Sequence, residues 1–310
     1  VLNLSLLEGG RSCIHRFDTS QGTYVIKQYR QEVRREEILR EIAICNFVRQ
    51  KGMFTTEILH HFETKGRQFT IQKFIEGETY NNNQVPQWFL IEAGRLLKTL
   101  RSNLRQFDLP FTSLPPGWPS AKTFDDTFFE LEQIKRKAIE IESVYSEQIL
   151  RDVKYKIRVI EDIANSPIVD TTKLSYVNTH GDFGHRQLIT NKNTNQITII
   201  DFENLCKMPA VLEVIRSYTY ATERCVKGVF DLGDFSNYLD STGLRDGLSK
   251  YDLEKCIPFY CMQLLLNTYG YTEYFMMDVK RRIEYLKFGF WRTKLLQDMM
   301  RIAESGHSLV

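Results

Sequence analysis

Paired cysteines, the common metal-protease and nucleotide-loop motifs, and long apolar runs are all missing from this sequence. Its six cysteines, Cys13, Cys45, Cys206, Cys225, Cys256 and Cys261, include no Cys-x-x-Cys pair. That pattern suggests buried thiols in a reducing compartment, not a disulfide framework. Cys256 and Cys261 are close in sequence but have no matching His or Cys pair to complete a zinc site. Neither His-Glu-x-x-His nor Gly-x-x-x-x-Gly-Lys-Ser/Thr occurs, so two large enzyme classes lose their strongest marker. The longest uncharged run, Cys256 to Thr272, carries Pro258, Gln263, Asn267 and Gly270. It falls short of the ~20 mostly apolar residues of a membrane span. The opening VLNLSLLEGG lacks the basic flank and long apolar stretch of a signal peptide. A soluble, cytoplasmic protein with no membrane partner is the expectation. A charge excess is missing too: 41 Lys+Arg stand against 39 Asp+Glu, a net +2. This gives no sign of the basic face that nucleic acid requires, and no nucleic-acid partner is expected.

What is present is an ordinary globular balance, 42% hydrophobic and 26% charged over 310 residues. At about 100–200 residues per domain, that length suggests two domains or one two-lobed unit. Residues 1–76 hold short β-prone runs, LNLSLL, CIHRF, GTYVIKQY, EILHHFET and RQFTIQKFI, separated by turn residues. One helix interrupts them at residues 31–51, where Val33, Ile38, Ala43, Ile44, Phe47 and Val48 recur at helical spacing and Gly52 is a stop. The expected order is strand, strand, strand, helix, strand, strand. From FIEGETYNNN onward the pattern is mostly helical. Residues 86–106 are amphipathic, 114–120 are Pro-rich, and 122–165 are highly charged with an apolar stripe. A short β-rich island at 174–203 contains a hairpin signal, LITNKNTNQITII, and residues 210–300 return to helix. The fold class expected is α+β, with a small β-rich lobe at 1–76 and a larger, mostly helical lobe at 77–310.

The island carries the chemistry. His180-Gly-Asp182-Phe-Gly-His-Arg-Gln187 is followed by Ile199-Ile-Asp201-Phe-Glu203. The two aspartates lie at the ends of short apolar strands on either side of the hairpin, which can bring both to one rim. There one could orient a hydroxyl while the other holds a divalent metal. Phosphoryl transfer needs those two jobs, because its loose transition state is helped mainly by positioning and metal charge. Taken singly, each aspartate also suits a strand-capping turn. Other parts occur in a supporting order. Lys27 ends the strand TYVIK, where a lysine can reach phosphate oxygens, and Glu41 lies mid-helix, where it could pair with that lysine. LEGGRS at 7–12 lies between two strands, where its glycines would let backbone approach phosphate.

With those elements in this order, the chain resembles the aminoglycoside phosphotransferase and choline kinase superfamily, which has the fold of eukaryotic-like protein kinases. HGDFGHRQ stands where that family has HGDxxxxN, and IIDFEN stands where its metal-binding strand ends in a D-F/W-E/D motif. The resemblance spans about residues 5–300. It implies an ATP-dependent (or GTP-dependent) phosphotransferase using Mg2+, with Asp182 as the base or orienter of the acceptor hydroxyl. It further implies that Asp201 is the principal magnesium ligand, that Lys27, held by Glu41, contacts the α- and β-phosphates, and that Gly9, Gly10, Arg11 and Ser12 cover them. Backbone groups of Lys73 and Ile75 would hold the adenine edge, and His180 would brace the loop. Gln187 replaces the family's Asn as second metal ligand. It keeps the amide oxygen but adds a methylene, and magnesium demands near-octahedral geometry at ~2.0–2.1 Å.

The acceptor is open between aminoglycoside-like, choline-like and homoserine-like compounds: a small hydroxylated molecule, with a cationic group one option. Asp231 and Asp234 in FDLGDFSNYLD, beside aromatics, would suit an amine. Glu273 in YGYTEYFMMD is a second candidate, in a stretch whose aromatics also read as helix packing. The alternative to an enzyme is a catalytically weak kinase-fold protein with a binding or structural role, such as the kinase-like proteins of bacterial spore coats. A protein kinase is disfavoured, because no Ala-Pro-Glu-like element follows IIDFENL and helix resumes at about Pro209.

Overall fold

A computed structural model describes residues 3–7, 12–81, 84–110, 123–163, 169–276 and 279–310; the side chains of 276 and 279–282 are outside the description. Five strands form the first sheet: β1 (Asn3–Leu7), β2 (Cys13–Thr19), β3 (Gly22–Gln28), β4 (Ile58–Thr64) and β5 (Arg67–Lys73). They are antiparallel in the order β1-β2-β3-β5-β4. The β4–β5 hairpin turns on Lys65 and Gly66, both at positive φ (51° and 67°). That pairing is the type I′ geometry whose twist matches the flanking strands.

Helix α1 (Arg35–Gln50) follows β3, and the expected strand and helix order holds. The Arg34 backbone N–H donates to Glu37 Oε2 at 2.8 Å, closing the first turn. Ile38, Glu41, Ile44, Cys45 and Val48 are its buried face. A carboxylate thus sits in the middle of an apolar stripe, facing the sheet. Ile44, Cys45 and Val48 join the main hydrophobic core, whereas Ile38 packs with Tyr29 and Val33 under the sheet.

The larger part is mostly helical, starting with α2 (Gln87–Leu104). The charged stretch at 122–165 is two helices, α3 (Phe124–Ile141) and α4 (Ser146–Ile163), separated where Glu142 turns left-handed at φ 44°. Next come β6 (Tyr176–Thr179), the hairpin β7 (Leu188–Asn191) and β8 (Gln196–Ile199), and β9 (Cys206–Pro209), which pairs with β6. Helices α5 (Ala210–Ala221), α6 (Glu223–Val226), α7 (Leu232–Thr242), α8 (Lys250–Leu266), α9 (Tyr269–Met276) and α10 (Val279–Glu304) complete the chain. Helix α5 begins directly after β9, leaving no room there for an activation segment. Five of the six cysteines are buried free thiols, and Cys13 is exposed. Among the described residues no helix is long and apolar enough to cross a membrane.

The β7–β8 hairpin is clipped to the first sheet's connections on both sides. Thr55 Oγ1 donates to the Ile199 carbonyl at 2.7 Å, and Ile199 N–H donates to the Phe54 carbonyl at 3.0 Å. On the other strand, Glu78 and Thr190 exchange backbone hydrogen bonds of 3.0 and 2.9 Å. Gly77 precedes that clip at φ 146°, where a side chain would strike the Thr190 carbonyl.

Candidate active site

The first half of the site is a lysine among three carboxylates. Lys27 near the end of β3 is 5% exposed; its Nζ lies 2.7 Å from Asp201 Oδ1, 3.1 Å from Glu203 and 4.0 Å from Glu41. Burial works against the ammonium, but Asp201 and then Glu41 outweigh it and hold the lysine well above its usual range. The same contact overrides the burial penalty on Asp201, whose carboxyl is held below the usual range. Glu41 is pushed up by burial, only partly offset by Lys27, and accepts a 2.8 Å hydrogen bond from Tyr29 Oη. Glu203 also accepts from Arg30 at 3.2 Å and from Ser12 Oγ at 3.4 Å. Asp201 has left-handed backbone (φ 66°, ψ 63°), sparsely populated for a residue with a side chain, though Asp tolerates it better than most. That turn lifts its carboxylate off the strand toward Lys27.

The second half is the loop around Asp182. His180 is fully buried; its Nδ1 accepts from the Asp182 N–H at 3.3 Å while Nε2 donates to the Ile200 carbonyl at 3.0 Å. The Ile200 N–H donates to the Gln187 carbonyl at 2.9 Å. The loop holding Asp182 is therefore pinned twice to the residue preceding Asp201. Gly181 adopts φ 83° against the Asn204 carbonyl, where a Cβ has no space, and its N–H donates to Glu213 Oε1 at 2.9 Å. Gln187 Nε2 donates to Asp182 Oδ2 at 3.1 Å, and Arg216 on α5 forms an ion pair with Asp182 Oδ1. Burial opposes the Arg216 charge, but Asp182 more than compensates, raising its pKa further.

The remaining sequence candidates have varied surroundings. Gly9, Gly10 and Arg11 lie outside the described residues. The Lys73 N–H is taken by the Glu57 carbonyl, and its exposed ammonium is 3.9 Å from the Glu57 carboxylate. The Ile75 amide and carbonyl have no backbone partner among the described residues. Asp231 caps α7 by accepting the Asp234 N–H, and both carboxylates pair with Arg224, at 3.1 and 2.8 Å. Glu273 is half-buried on α9.

Three side chains with prominent roles were not singled out in the sequence. Glu203 is the counter-charge shared by Lys27 and Arg30. Glu213 and Arg216 lie three apart on α5, so both face the Asp182 loop. Glu213 also accepts from Arg101 at 3.4 Å. A usable signal was available, since these are the only charges in the otherwise uncharged AVLEVIRSYTYA.

Two oxygen donors would suit a hard divalent cation: the Asp201 carboxylate, whose Oδ1 takes the 2.7 Å lysine contact, and the Gln187 amide oxygen, left over when Nε2 serves Asp182. Lys27 and Arg30 are the cations beside the Asp201–Glu203 turn.

A lysine braced by a helix glutamate, set against two carboxylates on a hairpin-linked loop, is the arrangement of a phosphotransferase of the kinase-like class. Residues 4–239 match the model of the phosphotransferase enzyme family, and the chain belongs to that family. No curated protein matches it at the sequence level. Among solved structures it resembles a microcompartment-associated aminopropanol kinase (TM-score 0.61, 12% identity, 98% of this chain and 93% of that one). A spectinomycin phosphotransferase solved with ADP and spectinomycin gives TM-score 0.61 at 13% identity, covering 97% and 93%. An ethanolamine kinase of Plasmodium vivax gives 0.57 at 16%, covering 98% and 84%. The shared kinase-like fold agrees with the α+β, two-lobed expectation.

Proposed function

We propose that this chain transfers the γ-phosphate of ATP to a hydroxyl of a small molecule, with residues 1–76 as the nucleotide lobe and 77–310 supplying the catalytic loop and acceptor surface. The observation that carries this reading is the Lys27–Asp201 contact, 2.7 Å long, beside a loop that keeps Asp182 tied to residue 200. In that arrangement Lys27 holds phosphate oxygens as a fixed charge, with Glu41 and Tyr29 fixing its position. Asp182 orients the acceptor hydroxyl and takes its proton. The acceptor oxygen forms a bond to the γ-phosphorus as the bond to the bridging oxygen breaks, and ADP leaves with that electron pair. Magnesium, held by Asp201 and Gln187, would supply charge neutralisation across the phosphates. Gln187 Nε2 steadies Asp182, so one side chain would serve both that carboxylate and the metal.

A second reading, a kinase fold that binds nucleotide without turnover, takes support from Arg216 and Gln187 engaging both oxygens of Asp182. The two separate in one experiment. Stabilisation by magnesium-ATP in thermal unfolding, with ADP release on adding hydroxylated acceptors, supports the enzyme. Stabilisation without ADP release across a broad acceptor panel favours the second reading, and absence of stabilisation removes both.

A further inference from the structure

A buried cation with no counter-charge among the described residues shares the Tyr220 ring with Arg216, the partner of Asp182. Arg292 on α10 is 8% exposed, its Nε is sealed from solvent without a partner, and no hydrogen bond or ion pair to it is present among the described residues. Other buried cations are matched. Lys27 has its carboxylates, Arg101 has Glu213 and the Ala210 carbonyl, and Lys156 donates to the Leu264 and Asn267 carbonyls at 2.8 and 2.6 Å. Arg292 has only ring faces: its guanidinium carbon is 4.9 Å from the Phe288 centroid and 5.7 Å from that of Tyr220. Aromatic faces offset part of the cost of burying a charge, but a carboxylate or phosphate would satisfy the planar fork far better.

Its position relates it to Asp182. The guanidinium of Arg216, which touches Asp182, lies 5.2 Å from the same Tyr220 ring. The two ring distances laid end to end are an upper bound on the separation of the guanidinium carbons. Tyr220 is held edge-on by Phe288 and Trp291, with centroids 5.6 and 5.5 Å away, so the ring that both cations contact is braced. The balance of charge differs across the site. Around Lys27 three carboxylates exceed two cations, Lys27 and Arg30. Around Asp182 three guanidiniums, those of Arg216, Arg292 and Arg101, exceed two carboxylates, Asp182 and Glu213, and two of the three acidic candidates for an amine, Asp231 and Asp234, are spent on Arg224.

We infer that Arg292, with Arg216 beside it, forms an oxyanion subsite, so that the acceptor is a small hydroxylated compound bearing a carboxylate or phosphate group and not an amine. The inference rests on the kinase reading and narrows its substrate class.

Four glycols differing in one substituent test it: glycerate, glycerol 3-phosphate, glycerol and 3-amino-1,2-propanediol. Each is titrated at constant ionic strength into the full chain loaded with magnesium-ADP, and the thermal unfolding midpoint is followed. A charged hydrogen bond of ordinary strength predicts half-saturation by at least one anionic probe about tenfold or more below glycerol and the amine. Arg292→Met erases that preference and Arg292→Lys keeps part of it; the relative rank of glycerate and glycerol 3-phosphate tells carboxylate from phosphate. Binding of the amine or glycerol as strong as that of both anions overturns the inference. So does an identical response in wild type and Arg292→Met, including no response in either. Magnesium-ADP stabilisation read alone reports on the kinase reading separately: if it persists while the anion preference fails, only the subsite is wrong.

Discussion

Lys27 Nζ and Asp201 Oδ1 stand 2.7 Å apart although 174 residues separate them in the chain. One belongs to the first sheet and the other to the turn after β8, so this ion pair, with Lys27–Glu203 and Arg30–Glu203 beside it, joins the two parts at the site. Lys27 is buried whereas the Asp201 side chain is 38% exposed, so solvent screens the pair from the carboxylate side only.

Removing the Asp201 carboxylate is expected to leave Lys27 short of its nearest counter-charge and, on the proposed function, magnesium without its main ligand. Asp201→Ala should lose the magnesium-dependent part of ATP stabilisation. Asp201→Asn, which keeps the left-handed preference, should retain folding but lose the same component. Thermal unfolding with ATP, with and without magnesium, measures both.

Asp182→Asn removes the proton acceptor while keeping the shape that Arg216 and Gln187 enclose. Nucleotide stabilisation should persist and turnover should fall by about 10²–10⁴-fold. Equal loss of nucleotide binding in this variant and in Asp201→Ala would argue that both aspartates are structural.

Gln187→Asn shortens the arm that reaches Asp182 at 3.1 Å. The amide can no longer serve Asp182 and a metal together from the same backbone position, so apparent magnesium affinity should drop by about tenfold. Turnover against magnesium concentration reads this directly. A variant faster than wild type at saturating magnesium would mark Gln187 as decay, not adaptation.

Lys156 offers a pH test away from the site. Burial, and secondarily Arg292, push its pKa down from 10.5 to about 7, with Asp152 on α4 opposing. Its neighbours are the α8 carbonyls, Arg292 on α10, and Asp152, which accepts from Tyr271 Oη at 2.6 Å. The unfolded chain therefore binds more protons than the native one between about pH 7 and 10.5, and stability gained from this group rises with pH across that window. The unfolding midpoint of wild type relative to Lys156→Met should climb from pH 7 to pH 9. A flat difference would show that the ammonium stays charged.

Much of this was legible in the sequence, for physical reasons that differ by element. The β7–β8 hairpin was readable because apolar runs flank an Asn-rich turn, and α1 because its stripe repeats at helical spacing around Glu41. Strand β9 was not: Cys206–Pro209 is too short to carry a period, and it exists only because β6 pairs with it. The break between α3 and α4 falls at Glu142, with no glycine or proline to mark it. Asp182, Asp201, Lys27 and Glu41 stood out by residue type and order, and the structure brings Lys27, Glu41 and Asp201 together. Arg292 had no such mark, since its burial arises from packing between helices far apart in sequence.

The clips at Thr55–Ile199 and Glu78–Thr190 make the Asp201 ribbon a passenger of the small lobe. If the two lobes hinge, the nucleotide pole stays in register with Lys27 while the α5 and α10 wall carries the displacement. Amide protection of 188–191 should then track that of β4 and β5 rather than that of α10, and nucleotide exchange and acceptor entry become mechanically separable events.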